Sequence, residues 1–286
     1  MRDERSVSKA ALITGCSSGI GRATALRLAE RGWRVYATAR KPEAIEDLAT
    51  KGCTILPLDV TDESSMKKAV DAVVRAEGAV GVLVNNAGYS QSGAAETVSM
   101  ELVRRQFETN VFGLIRLTQL VLPGMREQGW GRIVNVSSMG GRLTFPGGAY
   151  YHASKHAVEA FSDALRFEVR GFGVNAVIIE PGLIRTAFGE AAVGSMEDSP
   201  DDGPYASFNA EVSRLTKTAY DGPLARLGAR PETVAKVIER AISSRRPRAR
   251  YRVGASARVM LPLRAMLPDR GWDVFLRSQY PRPNKG

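Results

Sequence analysis

Tyr151 and Lys155, in the run Tyr151-His152-Ala153-Ser154-Lys155, stand four residues apart, so a helix places their phenol and ammonium on one face. An opposite charge within ~4–6 Å lowers a phenol pKa by about 1–3 units from about 10, which predicts a hydroxyl that exchanges a proton near neutral pH. Thirteen residues upstream of the tyrosine is Ser138, preceded by Ser137. A hydroxyl there can hydrogen-bond a substrate oxygen while the phenol handles its proton, or it can simply close a turn at a strand end. The spacing alone does not choose between these.

A second constellation lies near the amino end, in Thr14-Gly15-Cys16-Ser17-Ser18-Gly19-Ile20-Gly21. Glycines let backbone turn tightly and approach a pyrophosphate closely, and the free N–H groups of a following helix point at its charge. The spacing is G-x-x-x-G-x-G, not the commoner G-x-G-x-x-G, so position between a strand and a helix must support it. Downstream, Val35-Tyr36-Ala37-Thr38-Ala39-Arg40-Lys41 ends a strand without a carboxylate. An acidic residue there would bind a ribose hydroxyl, whereas the guanidinium fork of Arg40 suits a 2′-phosphate. NADP(H) is the expected cofactor.

Two other features carry weaker chemistry. His152 and His156 are the only histidines and share a helix face rotated by about 100° from that of Tyr151 and Lys155. Without an HExxH glutamate they read as a polar or interface-facing surface, and no metal is expected. Cys16, inside the glycine loop, is either a thiol favoured as thiolate by a helix start or a small space-filling residue.

Short apolar runs alternating with segments of helical period have to position these groups, which predicts βαβ units: an α/β, doubly wound, mostly parallel sheet with helices on both faces. Strands are expected at 10–14, 34–38, 54–58, 82–85, 132–136 and 175–179, with a seventh near 250–253. Helices are expected at 19–31, 42–50, 63–76, 100–126, 150–171 and 231–243. Residues 189–204 lack periodicity and hold five carboxylates with no basic residue, so they read as a mobile loop. Following the sixth strand, it is either a lid over the ligand edge of the sheet or a surface insertion.

At 286 residues, 44% hydrophobic and 24% charged, the chain suits one large α/β domain with an appendage and is no disordered chain. Catalytic residues 1–253, with a substrate loop at 187–228, are expected to precede a C-terminal extension at 254–286. Two cysteines make no disulfide framework, and no secretory leader or run of about 18 apolar residues is visible; a reducing, cytoplasmic setting is expected. The net charge of +10 is concentrated: residues 240–286 hold 12 basic against 2 acidic side chains, and the rest balances. That pattern fits a solvated or interface-forming tail, or one that makes weak contact with a membrane surface, better than a nucleic-acid binder.

Taken together, T-G-x-x-x-G-I-G at 14–21, Asn85-Asn86-Ala87-Gly88, Ser138, Y-x-x-x-K at 151–155 and Pro181-Gly182 resemble the short-chain dehydrogenase/reductase family, NADP(H)-preferring and close to its steroid- and retinoid-acting members. The resemblance spans residues 14–186 in order and implies a Rossmann-type sheet and a homodimer or homotetramer. It also implies Tyr151 as acid/base, Lys155 as the group lowering its pKa and holding the nicotinamide ribose, Ser138 as the carbonyl-polarising hydroxyl, and Asn110 as support for a proton relay. Gly15, Ser17, Ser18, Gly19, Ile20, Gly21 and Arg40 would bind the cofactor, with Asp59 and Val60 at the adenine, Asn86, Ala87 and Gly88 along its edge, and Pro181, Gly182 and Thr186 at the nicotinamide.

The expected function is interconversion of a carbonyl and an alcohol. Leu143, Phe145, Leu183, Ile184, Phe188, Tyr205 and Phe208 favour a hydrophobic substrate unless they are core or lid packing. The alternative is an NADP(H)-sensing binding protein whose basic tail engages a membrane or partner.

Overall fold

The computed structural model describes residues 7–196, 203–221 and 228–280. Seven strands form one sheet: β1 Ala11–Ile13, β2 Val35–Ala39, β3 Cys53–Pro57, β4 Val82–Asn85, β5 Gly131–Val136, β6 Val174–Pro181 and β7 Arg250–Val253. Their order is β3-β2-β1-β4-β5-β6-β7, and every pairing is parallel. Parallel strands need covered faces, and the period of two divides the apolar side chains accordingly. Ala11 and Ile13 enter one buried cluster with Leu28, Val234 and Ile238, while Ala10 and Leu12 enter the other with Val73, Leu117 and Leu165.

The first cluster lies under α1 (Gly19–Glu30) and the later helix Pro231–Ser243; the second lies under helices α2 (Glu63–Glu77) and, further on, Gly113–Glu127 and Ala149–Glu168. Residues Pro42–Lys51 form a 3₁₀ helix in place of the expected α-helix. The order reverses direction between β1 and β4, so the carboxyl ends of these strands flank the crevice where open α/β sheets bind ligands.

The single helix expected over 100–126 is three pieces: α3 (Met100–Phe107), a π-turn at Glu108–Phe112 and α4 (Gly113–Glu127). Close approach to the β3 edge explains the glycine that starts α4, since a Cβ on Gly113 would lie 2.3 Å from the Val60 carbonyl oxygen. After α5 (Ala149–Glu168) and β6, the stretch expected to lack periodicity opens with a short helix, α6 (Phe188–Gly194). Residues 197–202 of that stretch lie outside the described residues. Helix α7 (Ala206–Asp221) and α8 (Pro231–Ser243) follow.

Beyond β7 the chain forms α9 (Ala255–Met266) and α10 (Asp269–Gln279), which pack onto the body through Ala257, Leu261 and Trp272 against Leu143. Part of the basic charge assigned to the tail is neutralised internally. Arg250 of β7 meets Glu159 at 2.9 Å and Asp163 at 2.5 Å, both on α5, and Glu180 of β6 at 3.4 Å. Glu180 is wholly buried, with Arg252 at 3.5 Å and Arg142 at 3.8 Å. Burial, reinforced by Glu159, raises its carboxyl above the ordinary range against the pull of these arginines.

Candidate active site

The glycine loop leaves β1 at the crevice. Gly15 has φ +71 and Gly19 φ +57, a region L side chains rarely occupy. Gly21 is demanded by contact: a Cβ there would stand 2.3 Å from the Gly15 carbonyl oxygen and 2.5 Å from Asn86 Nδ2. Asn86 in turn donates from Nδ2 to the Thr14 and Gly15 carbonyls at 2.9 and 3.1 Å, and the Thr14 hydroxyl accepts from the N–H groups of Asn86 and Ala87. These bonds lock the loop to the end of β4. Ser17 and Ser18 are exposed, Ser18 makes no side-chain cap to α1, and the first turn of α1 has no acidic residue.

Arg40 is exposed directly after β2. On the opposite rim Thr186 faces the loop, its Cγ2 placed 3.1 Å from where a Cβ on Gly19 would be. A cradle a side chain would fill, a helix start without a competing carboxylate and a cation at the next strand end fit a phosphorylated dinucleotide. Asp59 instead serves its own turn, accepting from the Thr61 N–H and hydroxyl at 2.9 and 2.8 Å, and Val60 backs onto Gly113.

Across the crevice, the end of β5 places Ser137 and Ser138, of which the resemblance implies Ser138 as the carbonyl-polarising hydroxyl. Ser137 is buried away from the crevice, where its Oγ would meet a Cβ on Gly141 at 2.6 Å. Ser138 accepts the Gly140 N–H at 3.0 Å and stands close enough to the Tyr151 hydroxyl to lower its pKa.

Lys155 donates from Nζ to the Val136 carbonyl at 2.9 Å and sits 5.9 Å from the centre of the Tyr151 ring. Asn110 belongs to the π-turn: its Oδ1 accepts the Tyr89 N–H at 3.1 Å, and its Nδ2 donates to the Tyr89 carbonyl at 2.9 Å and Ser154 Oγ at 3.0 Å. Gly88 fits between Asn110 and Lys155, since a Cβ there would lie 3.0 Å from Asn110 Oδ1 and 3.6 Å from Nζ. One residue inserted into the helix repeat thus brings an amide to the crevice.

The expected lowering of the phenol does not appear in this arrangement. Burial pushes the Tyr151 hydroxyl up to about 12, against the neighbouring Ser138 hydroxyl, which lowers it. Burial also lowers Lys155 to about 8, opposed by Glu159 one helical turn further on. Desolvation dominates both groups, and Lys155 is turned to the β5 carbonyl.

His152 was expected on a polar or interface-facing surface and is instead buried beside the reacting pair. Its Nδ1 lies 3.1 Å from the Gly140 carbonyl oxygen, and its ring contacts those of Tyr151 and Phe145 at 5.5 and 6.0 Å. Gly140 and Gly148 make room for the imidazole, since a Cβ at either would come within 2.5 and 2.8 Å of it. Burial lowers its pKa to about 4, so it is neutral at pH 7. Periodicity missed it because α5 is covered on the His152 face by the turn after β5; the glycines at 140 and 148 were the available signal. Cys16 is buried and its thiol pushed up to about 12, the space-filling role rather than a reactive one.

Of the apolar residues expected at the pocket, Phe188 lies 5.4 Å from the Tyr151 ring, and Phe145 packs on the neighbouring His152 ring at 6.0 Å. Leu143 and Ile184 are core, and Tyr205 and Phe208 pack with Ala94, Met196 and Val212. Pro181 ends β6, and Gly182 is required by the extension rather than by the crevice alone: a Cβ there would meet Ser256 Oγ at 2.1 Å.

Fold and crevice are those of an α/β oxidoreductase that works with a bound dinucleotide. A family model described as short chain dehydrogenase matches residues 9–196, and the chain belongs to the short-chain dehydrogenase/reductase family. A 3-ketodihydrosphingosine reductase of Bacteroides thetaiotaomicron is 35% identical over 275 residues, covering 94% of this chain and 97% of that protein. The crystal structure of a short-chain dehydrogenase from Streptomyces avermitilis is 36% identical with a TM-score of 0.78, covering 95% of this chain and 98% of that one. A variant of actinorhodin polyketide ketoreductase, solved with NADPH, is 33% identical with a TM-score of 0.74, covering 86% of this chain and 95% of the other.

Proposed function

We propose that this enzyme reduces the carbonyl of a hydrophobic substrate with NADPH, Tyr151 giving the proton. The observation that carries the reading is the placing of Tyr151 against Ser138 at the end of β5, with Lys155 Nζ 5.9 Å from its ring and Phe188 at 5.4 Å; burial keeps the phenol protonated at neutral pH. NADPH supplies the hydride when bound. Ser138 and Tyr151 both donate toward the substrate oxygen, so the developing alkoxide is stabilised before the phenol proton moves to it. Lys155 keeps a cation beside the resulting phenolate, and Asn110 holds Ser154 and Tyr89 so that α5 and the loop after β4 keep their spacing.

Gly15, Ser17, Ser18, Gly19, Ile20 and Gly21 would take the pyrophosphate, Arg40 the 2′-phosphate, Asp59 and Val60 the adenine edge, Asn86 to Gly88 the near ribose, and Pro181, Gly182 and Thr186 the nicotinamide. The solved relative with NADPH supports the cofactor assignment, and the relative acting as a 3-ketodihydrosphingosine reductase supports a hydrophobic ketone. Phe112 and Phe167, exposed on the α4 and α5 side, are where we place contacts between copies of the chain. The outward faces of α9 and α10, with Arg258, Val259, Met266, Arg270, Val274 and Arg277 exposed, are where we place weak contact with an anionic membrane surface.

The test is NADPH oxidation over a panel of ketones with the unaltered enzyme, Tyr151→Phe and Arg40→Ala. Tyr151→Phe is expected to abolish turnover while still binding NADPH. Arg40→Ala should raise the NADPH KM about tenfold or more and leave NADH nearly unchanged. Equal turnover in the phenylalanine variant, or a preference for NADH in the unaltered protein, would reject the assignment.

A further inference from the structure

Beyond the His152 and Phe145 rings, seen from Tyr151, opens a cleft of about 550 Å³. Its walls come from segments far apart in the chain: Ala95 after β4, Phe145 before α5, Phe208 on α7, and Trp272 and Leu276 on α10. Phe145 is the shared wall, 6.0 Å from the His152 ring on one side and 6.1 Å from Trp272 on the other, with His152 itself 5.5 Å from Tyr151. The floor is aromatic and aliphatic, whereas Glu96, Asp269 and Asp273 of the lining are exposed; Arg264, 5.6 Å over the Trp272 ring, is already held by Asp269 at 2.8 Å. A sugar or charged substrate would leave its polar groups facing Phe145, Phe208 and Trp272 without partners. The volume falls within the range of about 300–1,000 Å³ that small-molecule sites occupy.

We infer that the substrate is a ketone bearing an extended alkyl chain, which runs from the Tyr151 hydroxyl past Phe145 into this cleft under α10. The inference rests on the reading of Tyr151 as proton donor and adds to it the chemistry of the rest of the substrate. The extension after β7 then forms a wall of the substrate site as well as a surface helix pair.

The experiment is a series of methyl ketones from butanone to tetradecanone, assayed by NADPH oxidation with the unaltered enzyme, Ala95→Trp and Leu276→Asp. Neither position touches the reacting groups, and both side chains face the cleft rather than the sheet core. In the unaltered enzyme kcat/KM should rise by up to about fourfold per methylene until the cleft is filled. Both variants should flatten that rise while leaving butanone turnover and the NADPH KM within about twofold of the starting values. A flat series in the unaltered enzyme, or a rise that survives both substitutions, overturns the inference even if butanone is reduced.

Binding is read separately from chemistry. A brominated long-chain secondary alcohol should quench tryptophan fluorescence, and Trp272→Phe should remove that quenching. Absence of quenching overturns the placement, whereas quenching without turnover of any ketone would strike the proposed reaction and leave the cleft assignment standing.

Discussion

Gly21→Ala tests the cradle at its tightest point. The added Cβ would lie 2.3 Å from the Gly15 carbonyl oxygen and 2.5 Å from Asn86 Nδ2, where carbon–oxygen contacts normally settle near about 3.3 Å. About 1 Å of movement is therefore needed, and one of the obstructing atoms is backbone that Asn86 ties to β4. Overpacking of this kind costs about 1–3 kcal/mol, and rigid backbone puts the cost near the upper end. Alanine inside α1 offsets about 1 kcal/mol through helix propensity, leaving a net loss of about 2 kcal/mol.

If α1 shifts, the loss appears in stability, lowering Tm by about 4–8 °C for a domain of this size. If the glycine loop shifts, it appears in NADPH binding as a loss of about thirtyfold. Thermal unfolding and cofactor titration of the same samples measure both. Gly171→Ala, where a Cβ meets nothing within 4 Å, is the control and should stay within about 0.5 kcal/mol of the unaltered protein. A Gly21→Ala protein with unaltered Tm and unaltered NADPH affinity would refute the geometry.

Three further outcomes are expected. Arg250→Met should cost about 3–5 kcal/mol in urea unfolding, because it strands the buried Glu159 and Glu180; adding Glu180→Gln should recover part of it, and a neutral Arg250→Met would show that the cluster is solvated. His152 has a folded pKa of about 4 against an ordinary 6.5, so the unfolded chain takes up its proton first as pH falls. Its contribution is complete above pH about 6.5 and is lost progressively down to about pH 4, up to about 3 kcal/mol in all; His152→Phe should flatten this acid sensitivity, and an unchanged slope would contradict it. Burial places Lys155 at about 8, so its ammonium is lost as pH rises through that value. Reductase kcat/KM should therefore fall above pH about 8, and at lower pH in Glu159→Gln, whereas a profile flat to about pH 10 would exclude a need for the cation.

Periodicity and turn residues made the layered sheet legible: Val82–Asn85, Arg250–Val253 and Pro231–Ser243 lie where the sequence places them, because each alternates or repeats strongly and is bounded by turn or cap residues. The break at Glu108–Phe112 was not legible, since a π-turn keeps the composition of the helix around it. Helix α6 escaped because its apolar contacts lie with distant segments: Phe188 on Tyr151, and Gly189 against the Tyr220 ring.

By itself the sequence determined which chemical groups are available and in what local frame: a phenol and an ammonium one turn apart, a glycine loop at a helix start, and an arginine at the next strand end. Those are short-range facts, set by the 3.6-residue helical repeat and the two-residue strand repeat. The tertiary structure alone decided that His152 is buried and neutral, that Lys155 is turned to the Val136 carbonyl, and that α9 and α10 wall a cleft near the site. Each of these depends on burial and on residues far apart in the chain, and desolvation, which governs the pKa values here, exists only once the chain has closed around the group.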